Sequence, residues 1–118
     1  MSGEDSLLEL RDALRRFARE RDWEQFHTPK NLAMALIGEA AEVVEHFQWL
    51  TPEQSADLDA STREAVAMEL ADVLLYLVRL ADALGVDLAE AAQRKLLLNA
   101  KKYPADKARG RADKYNAL

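Results

Sequence analysis

The chain has 118 residues, 49% of them hydrophobic and 31% charged, with a net charge of −5; that suffices for one domain with a real core and excludes a disordered chain. The absence of cysteine excludes disulfides and thiolate metal centres. No apolar run approaches the ~18 residues of a membrane span, and the start Met1-Ser-Gly-Glu-Asp5 lacks the basic and apolar regions of a signal peptide, so a soluble, cytoplasmic protein with no membrane partner is expected.

With four glycines and three prolines in a chain rich in Ala, Leu, Glu and Arg, helix is favoured throughout. The first helix is predicted from about Asp5 to Arg21, with Leu7, Leu10, Leu14 and Phe17 on one face. A connector holding Trp23, Phe26 and His27 follows. Thr28-Pro29 supplies an N-cap and a first-turn proline for a second helix reaching about Trp49. Thr51-Pro52 opens a short turn or helix, and Asp57 to Ala60 reads as loop. Ser61 with Glu64 has the form of a capping box for a third helix that stops at Gly85. Asp87 with Glu90 repeats the pattern for a fourth helix ending before Pro104. The tail from about 104 to 118 has little apolar periodicity and is expected to be extended or docked on a neighbour. The fold class is therefore all-α: a single domain over 1–118, built as an antiparallel four-helix-type bundle.

The acids stand where a core is expected. On the second helix Leu32, Leu36, Val43, Phe47 and Leu50 form an apolar strip, and Glu39 falls within about 20–40° of Leu32 and Val43 on the helical wheel. Glu42 and Glu45 continue along the same edge. The third helix repeats this: Glu69 lies about 40° from Val73 on a face of Val66, Leu70, Val73, Leu77, Leu80 and Leu84. Asp72 follows one turn later, and Tyr76 one turn after that. An i, i+3 spacing sets two carboxylates side by side. Two such pairs on adjacent helices gather four anions, which raise one another's pKa and destabilise the fold unless a cation sits among them. Mg2+ suits such a site because it keeps several waters and shares its shell with substrate phosphates. Arg63, Arg79 or Lys30 could instead neutralise the acids. A di-iron bundle is disfavoured, since it needs a Glu-x-x-His on each of two helices, and only Glu24 with His27, in the predicted connector, has that spacing.

Charge is divided along the chain: 8 Lys/Arg and 19 Asp/Glu precede Arg94, and 8 and 2 follow from it. A solvated basic tail accounts for this equally well, and the acidic remainder argues against polymeric nucleic acid as a partner. On the fourth helix Lys95, Asn99 and Lys102 share one face within about 60°, suited to phosphate or simply to the helix dipole. Trp23 and Trp49 flank the acid-bearing helix and could plug a core or stack on a base. His27 and His46 remain open: surface residues or donors to a ligand.

Gly38-Glu39-Ala-Ala-Glu42 followed by Glu69-Leu-Ala-Asp72-Val-Leu-Leu-Tyr76, with 26 residues between Glu42 and Glu69, resembles the E-x-x-E…E-x-x-D signature of the MazG-like, all-α nucleoside triphosphate pyrophosphatases. Arg21-Asp-Trp-Glu-Gln-Phe-His27, Phe47-Gln-Trp49 and Lys114-Tyr-Asn-Ala-Leu118 resemble the dCTP pyrophosphatase branch of that family. The resemblance implies hydrolysis of a nucleoside triphosphate substrate to monophosphate and pyrophosphate. It also implies Mg2+ held by Glu39, Glu42, Glu69 and Asp72; a base pocket lined by Trp23, Trp49 and Tyr76; and Lys95, Asn99, Lys102 and Tyr103 near the phosphates. It further implies a homo-oligomer, dimer or tetramer, with sites between subunits. One position departs: animal members of that branch carry a His near the base pocket where this chain has Leu14. Glu39 or Glu42 is the expected proton acceptor for a water attacking the α-phosphorus, with Glu45 a weaker candidate. The alternatives are a pyrophosphohydrolase for another nucleotide, such as dUTP or a histidine-pathway intermediate, and a non-catalytic helical interaction protein.

Overall fold

The computed structural model describes residues 3–118; Met1 and Ser2, on which the expected lack of a leader partly rests, lie outside the described residues. Every regular element among the described residues is helical. Contacts group the chain into one unit ending at Val86 and a second spanning Asp87–Leu118.

Helix α1 (Gly3–Glu20) ends in a left-handed turn. Asp22 takes φ 53°, while its N–H reaches Arg19 O at 3.1 Å and the Trp23 N–H reaches Ala18 O at 2.9 Å. Asp tolerates this region better than most residues with a Cβ. The Gln25 side chain holds the turn by donating to Asp22 O (3.0 Å) and Oδ2 (3.1 Å). The reversal folds Trp23 back on Phe17, edge to face at 5.7 Å. A 3-10 turn, Glu24–Phe26, completes the connector.

Helix α2 (Pro29–Glu45) is capped by Thr28, whose hydroxyl accepts from Asn31 N at 3.2 Å. It stops at Glu45 rather than at the expected Trp49. From His46 onward the chain tightens, with Phe47 N–H bonding Val44 O and Leu50 N–H bonding Phe47 O, both at 2.9 Å. Helix α3 (Pro52–Ser55) opens on a full capping box between Thr51 and Gln54.

Helix α4 (Ala60–Leu84) begins two residues before the expected Ser61–Glu64 box would place it. Its cap is Asp59, whose Oδ1 accepts from Thr62 N at 2.7 Å. A charged carboxylate also gains from the helix N-terminal dipole, which a serine hydroxyl does not. The bonds from Thr62 hold the Asp59 carboxyl below its ordinary pKa. At the other end Gly85 adopts φ 67°. Gly85 N–H bonds Asp82 O (3.1 Å) and Val86 N–H bonds Ala81 O (2.8 Å), a Schellman closure that only glycine enters without strain.

α4 packs against both α2 and α1. α2 and α4 run in opposite directions, since His27 ahead of α2 meets Arg79 late in α4 while Glu39 meets Glu69 and Asp72. Ala18, Leu32, Val66, Val78 and Ala81 are the buried apolar residues at this seam. Large apolar side chains remain exposed elsewhere on the same helices: Ile37 is 69% exposed, Met34 61% and Met68 56%.

In the second unit α5 (Leu88–Lys102) is capped by Asp87, which accepts from Glu90 N at 3.1 Å. The tail is not simply extended. It forms α6 (Ala105–Ala108) and a 3-10 turn, Tyr115–Ala117. Tyr115 returns to the end of α5, edge to face with Tyr103 at 6.2 Å and with Lys102 Nζ 5.1 Å from its ring centre. No helix among the described residues is long and apolar enough to cross a membrane.

Candidate active site

α2 and α4 bring four carboxylates together. Glu39, Glu69 and Asp72 each offer an oxygen within 4.8 Å of the others, and Glu42 stands close enough to Glu39 and Glu69 to raise the pKa of both. Burial first, then the hydrogen bond and charge of Glu42, hold the Glu39 carboxyl above its ordinary pKa. For Glu69 the shared hydrogen bond with Glu42 leads, followed by burial and the surrounding charges. Glu39 Oε2 and Glu69 Oε2 are buried with no hydrogen-bond partner.

Orphaned, desolvated oxygens are costly unless something electropositive meets them. Among the described residues no Lys or Arg is ion-paired with the four acids. Arg79 is committed to Asp82 and His27. The nearest basic group is His46, whose Nε2 lies 4.0 Å from Glu69 Oε1. An all-carboxylate set with two unsatisfied oxygens fits a hard dication, and these residues could hold one. Glu45, at the end of α2, is exposed and stands outside the cluster.

Beside the cluster opens a cleft of about 160 Å³ lined by Leu14, Phe17, Ala18, Trp23, His27, Asp72, Leu75, Tyr76 and Arg79. That is below the ~300 Å³ of a typical whole-ligand pocket, so it accommodates a ring rather than an entire nucleotide. Asp72 belongs to both cleft and cluster, which places the flat apolar walls next to the metal-capable acids. Trp23 stands edge to face with Phe17 and, at 6.3 Å, with His27.

Trp23, Tyr76 and His27 are therefore gathered in one cleft, whereas Trp49 is 86% exposed and is not among its lining residues. Leu14 lies in the cleft wall. Lys95, Asn99, Lys102 and Tyr103 lie in the second unit; Lys95 and Lys102 are exposed and Asn99 is half-buried. Periodicity assigns Phe17 to the apolar face of the first helix, leaves Leu75 off the α4 stripe, and offers Arg79 only as a possible neutraliser of the acids. The signal for Arg79 was present: Asp72, Tyr76 and Arg79 are spaced i, i+4, i+7 and share one face of α4.

Behind the cleft sits a charged network. Arg15 Nε donates to Asp82 Oδ2 at 2.7 Å and its Nη2 to Oδ1 at 2.5 Å, a bidentate fork. The bonds from Arg15, helped by its charge and that of Arg79, hold the Asp82 carboxyl below its ordinary pKa. A depressed acid contributes stability that is present above its unfolded pKa of about 3.9 and is lost as pH falls through the lower folded value. Asp82→Asn is accordingly expected to melt earlier than the parent at pH 7, with the gap closing as both are acidified below about pH 4. Thermal melts across pH check this, and a constant gap at every pH would refute it.

α2 and α4 carry E-x-x-E and E-x-x-D around a metal-capable cluster of half-buried and exposed acids, and the chain belongs to the all-α MazG-like family, whose model matches residues 36–118. It is 46% identical to dCTP pyrophosphatase 1 of Homo sapiens and 45% identical to that of Bos taurus, over 99% of this chain and 70% of each of those proteins. Among solved structures it matches a pyrophosphatase from Archaeoglobus fulgidus DSM 4304 with a TM-score of 0.79 and 40% identity, covering 84% of this chain and 93% of that one.

Proposed function

We propose that this chain is a nucleoside triphosphate pyrophosphohydrolase that cleaves dCTP, or a modified dCTP, to the monophosphate and pyrophosphate. The observation that carries the reading is the pair of partnerless buried oxygens on Glu39 and Glu69 beside an aromatic cleft that shares Asp72 with them. The identity to dCTP pyrophosphatases over nearly the whole chain supports the substrate.

Glu39, Glu42, Glu69 and Asp72 would hold Mg2+, which when bound neutralises phosphate charge and acidifies water. The chain's own residues do the rest. Glu39 or Glu42 takes the proton of the water that attacks the α-phosphorus, its carboxylate oxygen acting as the base. Glu69 and Asp72 keep the phosphate end in register with the cleft. Trp23 and Tyr76 wall the base, and the apolar Leu14, Phe17 and Leu75 exclude water around it. Lys95, Asn99, Lys102 and Tyr103 are assigned to the phosphates by the family resemblance alone, as donors and positive charge of the kind that stabilise a leaving pyrophosphate.

The uncovered apolar side chains of α2 and α4 support a homo-oligomer, as, in the second unit by itself, do Leu96 and Leu97 at 69% and 68% exposure, since exposed apolar surface marks association. Trp49 then serves a base site from another subunit. A cytoplasmic location suits a substrate drawn from the nucleotide pool, and no polymeric nucleic acid is bound.

The test is release of pyrophosphate from each dNTP, dUTP and 5-substituted dCTPs, with and without Mg2+. Turnover led by the cytidine nucleotides and abolished by chelation is expected; none with any nucleotide would remove the reading. In parallel, Mg2+ at ten times its dissociation constant should stabilise the fold by about 1.4 kcal/mol, read as a rise in Tm. A non-catalytic helical protein would give neither signal.

A further inference from the structure

We infer that Arg15, Asp82 and Arg79 act as a positioning chain that fixes His27 as the Nε2–H tautomer, making His27 the cleft's donor to an acceptor on the substrate's base. The inference rests on reading the cleft as the base site and goes beyond it by naming what selects the base.

The chain of contacts runs from α1 through α4 to the connector. Arg15 grips Asp82 through both carboxylate oxygens. Asp82 also takes Arg79 Nη1 at 3.5 Å, and the side chains of Asp82 and Arg79 are only 12% and 13% exposed. Arg79 is thus held on one side by a carboxylate, and its Nε donates to His27 Nδ1 at 3.1 Å.

A guanidinium keeps its protons at every physiological pH. His27 Nδ1 must therefore be the acceptor, and a neutral imidazole with one accepting nitrogen carries its hydrogen on the other. Burial first, then the Arg79 charge, push the His27 pKa down, in keeping with a neutral ring. Among the described residues the His27 side chain makes no other hydrogen bond, its backbone N–H going to Glu24 O at 3.2 Å, so Nε2–H is left for a ligand.

Leu14, Phe17, Ala18 and Leu75 offer the base no polar group. With Leu14 apolar, reading of the base falls to the donor beside Arg79 in the same cleft. An N–H donor pairs with N3 of cytosine, which is an unprotonated acceptor. Uracil and thymine carry hydrogen at N3, so donor would face donor, and a site that leaves a buried polar group unpaired discriminates strongly.

The test combines 15N NMR of histidine-labelled protein with kinetics. In the parent at pH 7, His27 should show protonated Nε2 and unprotonated Nδ1, and dCMP, but not dTMP, should move the Nε2 resonance. Arg79→Gln and Arg79→Lys should mix the tautomers and lower the dCTP-to-dTTP ratio of kcat/KM at least tenfold. Arg79→Lys keeps the cation and its pairing with Asp82, which guards against a variant that merely unfolds. His27→Phe should lose the same ratio, and His27→Gln, which restores a donor, should recover part of it. A wild-type His27 protonated on Nδ1, an Nε2 signal indifferent to dCMP, or a ratio unchanged in both Arg79 variants would each overturn the inference. Absence of nucleotide turnover, with the tautomer and the dCMP response intact, would instead overturn the proposed reaction and leave the positioning chain standing.

Discussion

Glu39→Gln is expected to lower pyrophosphate release by about 10³-fold or more while raising the melting temperature of the protein in chelator. The loss of rate follows from removing both an anionic ligand and a candidate proton acceptor, each of which alone contributes on the order of 10²–10⁴. The gain in stability follows from the electrostatics of the cluster. Glu39 is desolvated, faces Glu42 and Asp72, and has an oxygen with no partner. A neutral amide of the same shape ends the repulsion and can donate to the remaining carboxylates. Asp72→Asn should behave alike in rate, and both variants should lose the Tm rise that Mg2+ gives the parent. Opposite signs for activity and metal-free stability distinguish a binding site from a structural cluster, because breaking a structural network lowers both. Full activity in both variants would remove these residues from the site.

Trp23→Ala is expected to raise KM for the favoured dNTP by roughly 5- to 150-fold, the equivalent of about 1–3 kcal/mol of base stacking. kcat should change much less, because stacking is felt equally by bound substrate and transition state. Trp23→Phe keeps an aromatic face and the edge contact with Phe17, and should recover most of the affinity. Steady-state kinetics on the three proteins decides it. A fall in kcat with KM unchanged would show that Trp23 orders the site rather than holding the base.

Much of this was legible in the residues because carboxylates are rare on apolar helix faces. Glu39 and Glu69 announced themselves by falling inside apolar stripes, and helical spacing alone brought Asp72 and Tyr76 to the same side of α4. The parts that were not legible depend on competition between neighbours. Asp59 displaced Ser61 as the cap of α4 because two good caps stood two residues apart. α2 stopped at Glu45 although the apolar pattern ran on to Leu50, since that pattern is also satisfied by tight turns whose carbonyls bond inside the bend. The role of Trp23 needed the left-handed step at Asp22, a single dihedral that no periodicity reports. The Arg15–Asp82–Arg79–His27 network joins residues 67 and 52 positions apart in sequence, and such pairings emerge only once the helices are docked.

α4 alone carries Glu69, Asp72, Leu75, Tyr76, Arg79 and Asp82, spread over roughly 20 Å of one unbroken rod. Chemistry and recognition are thereby locked in phase. An insertion or deletion of one residue between Asp72 and Arg79 would swing one half of the site about 100° away from the other. On the α4 side, recognition can therefore change only by exchanging side chains at fixed stations, while the connector that carries Trp23 and His27 is the one wall free to alter its length.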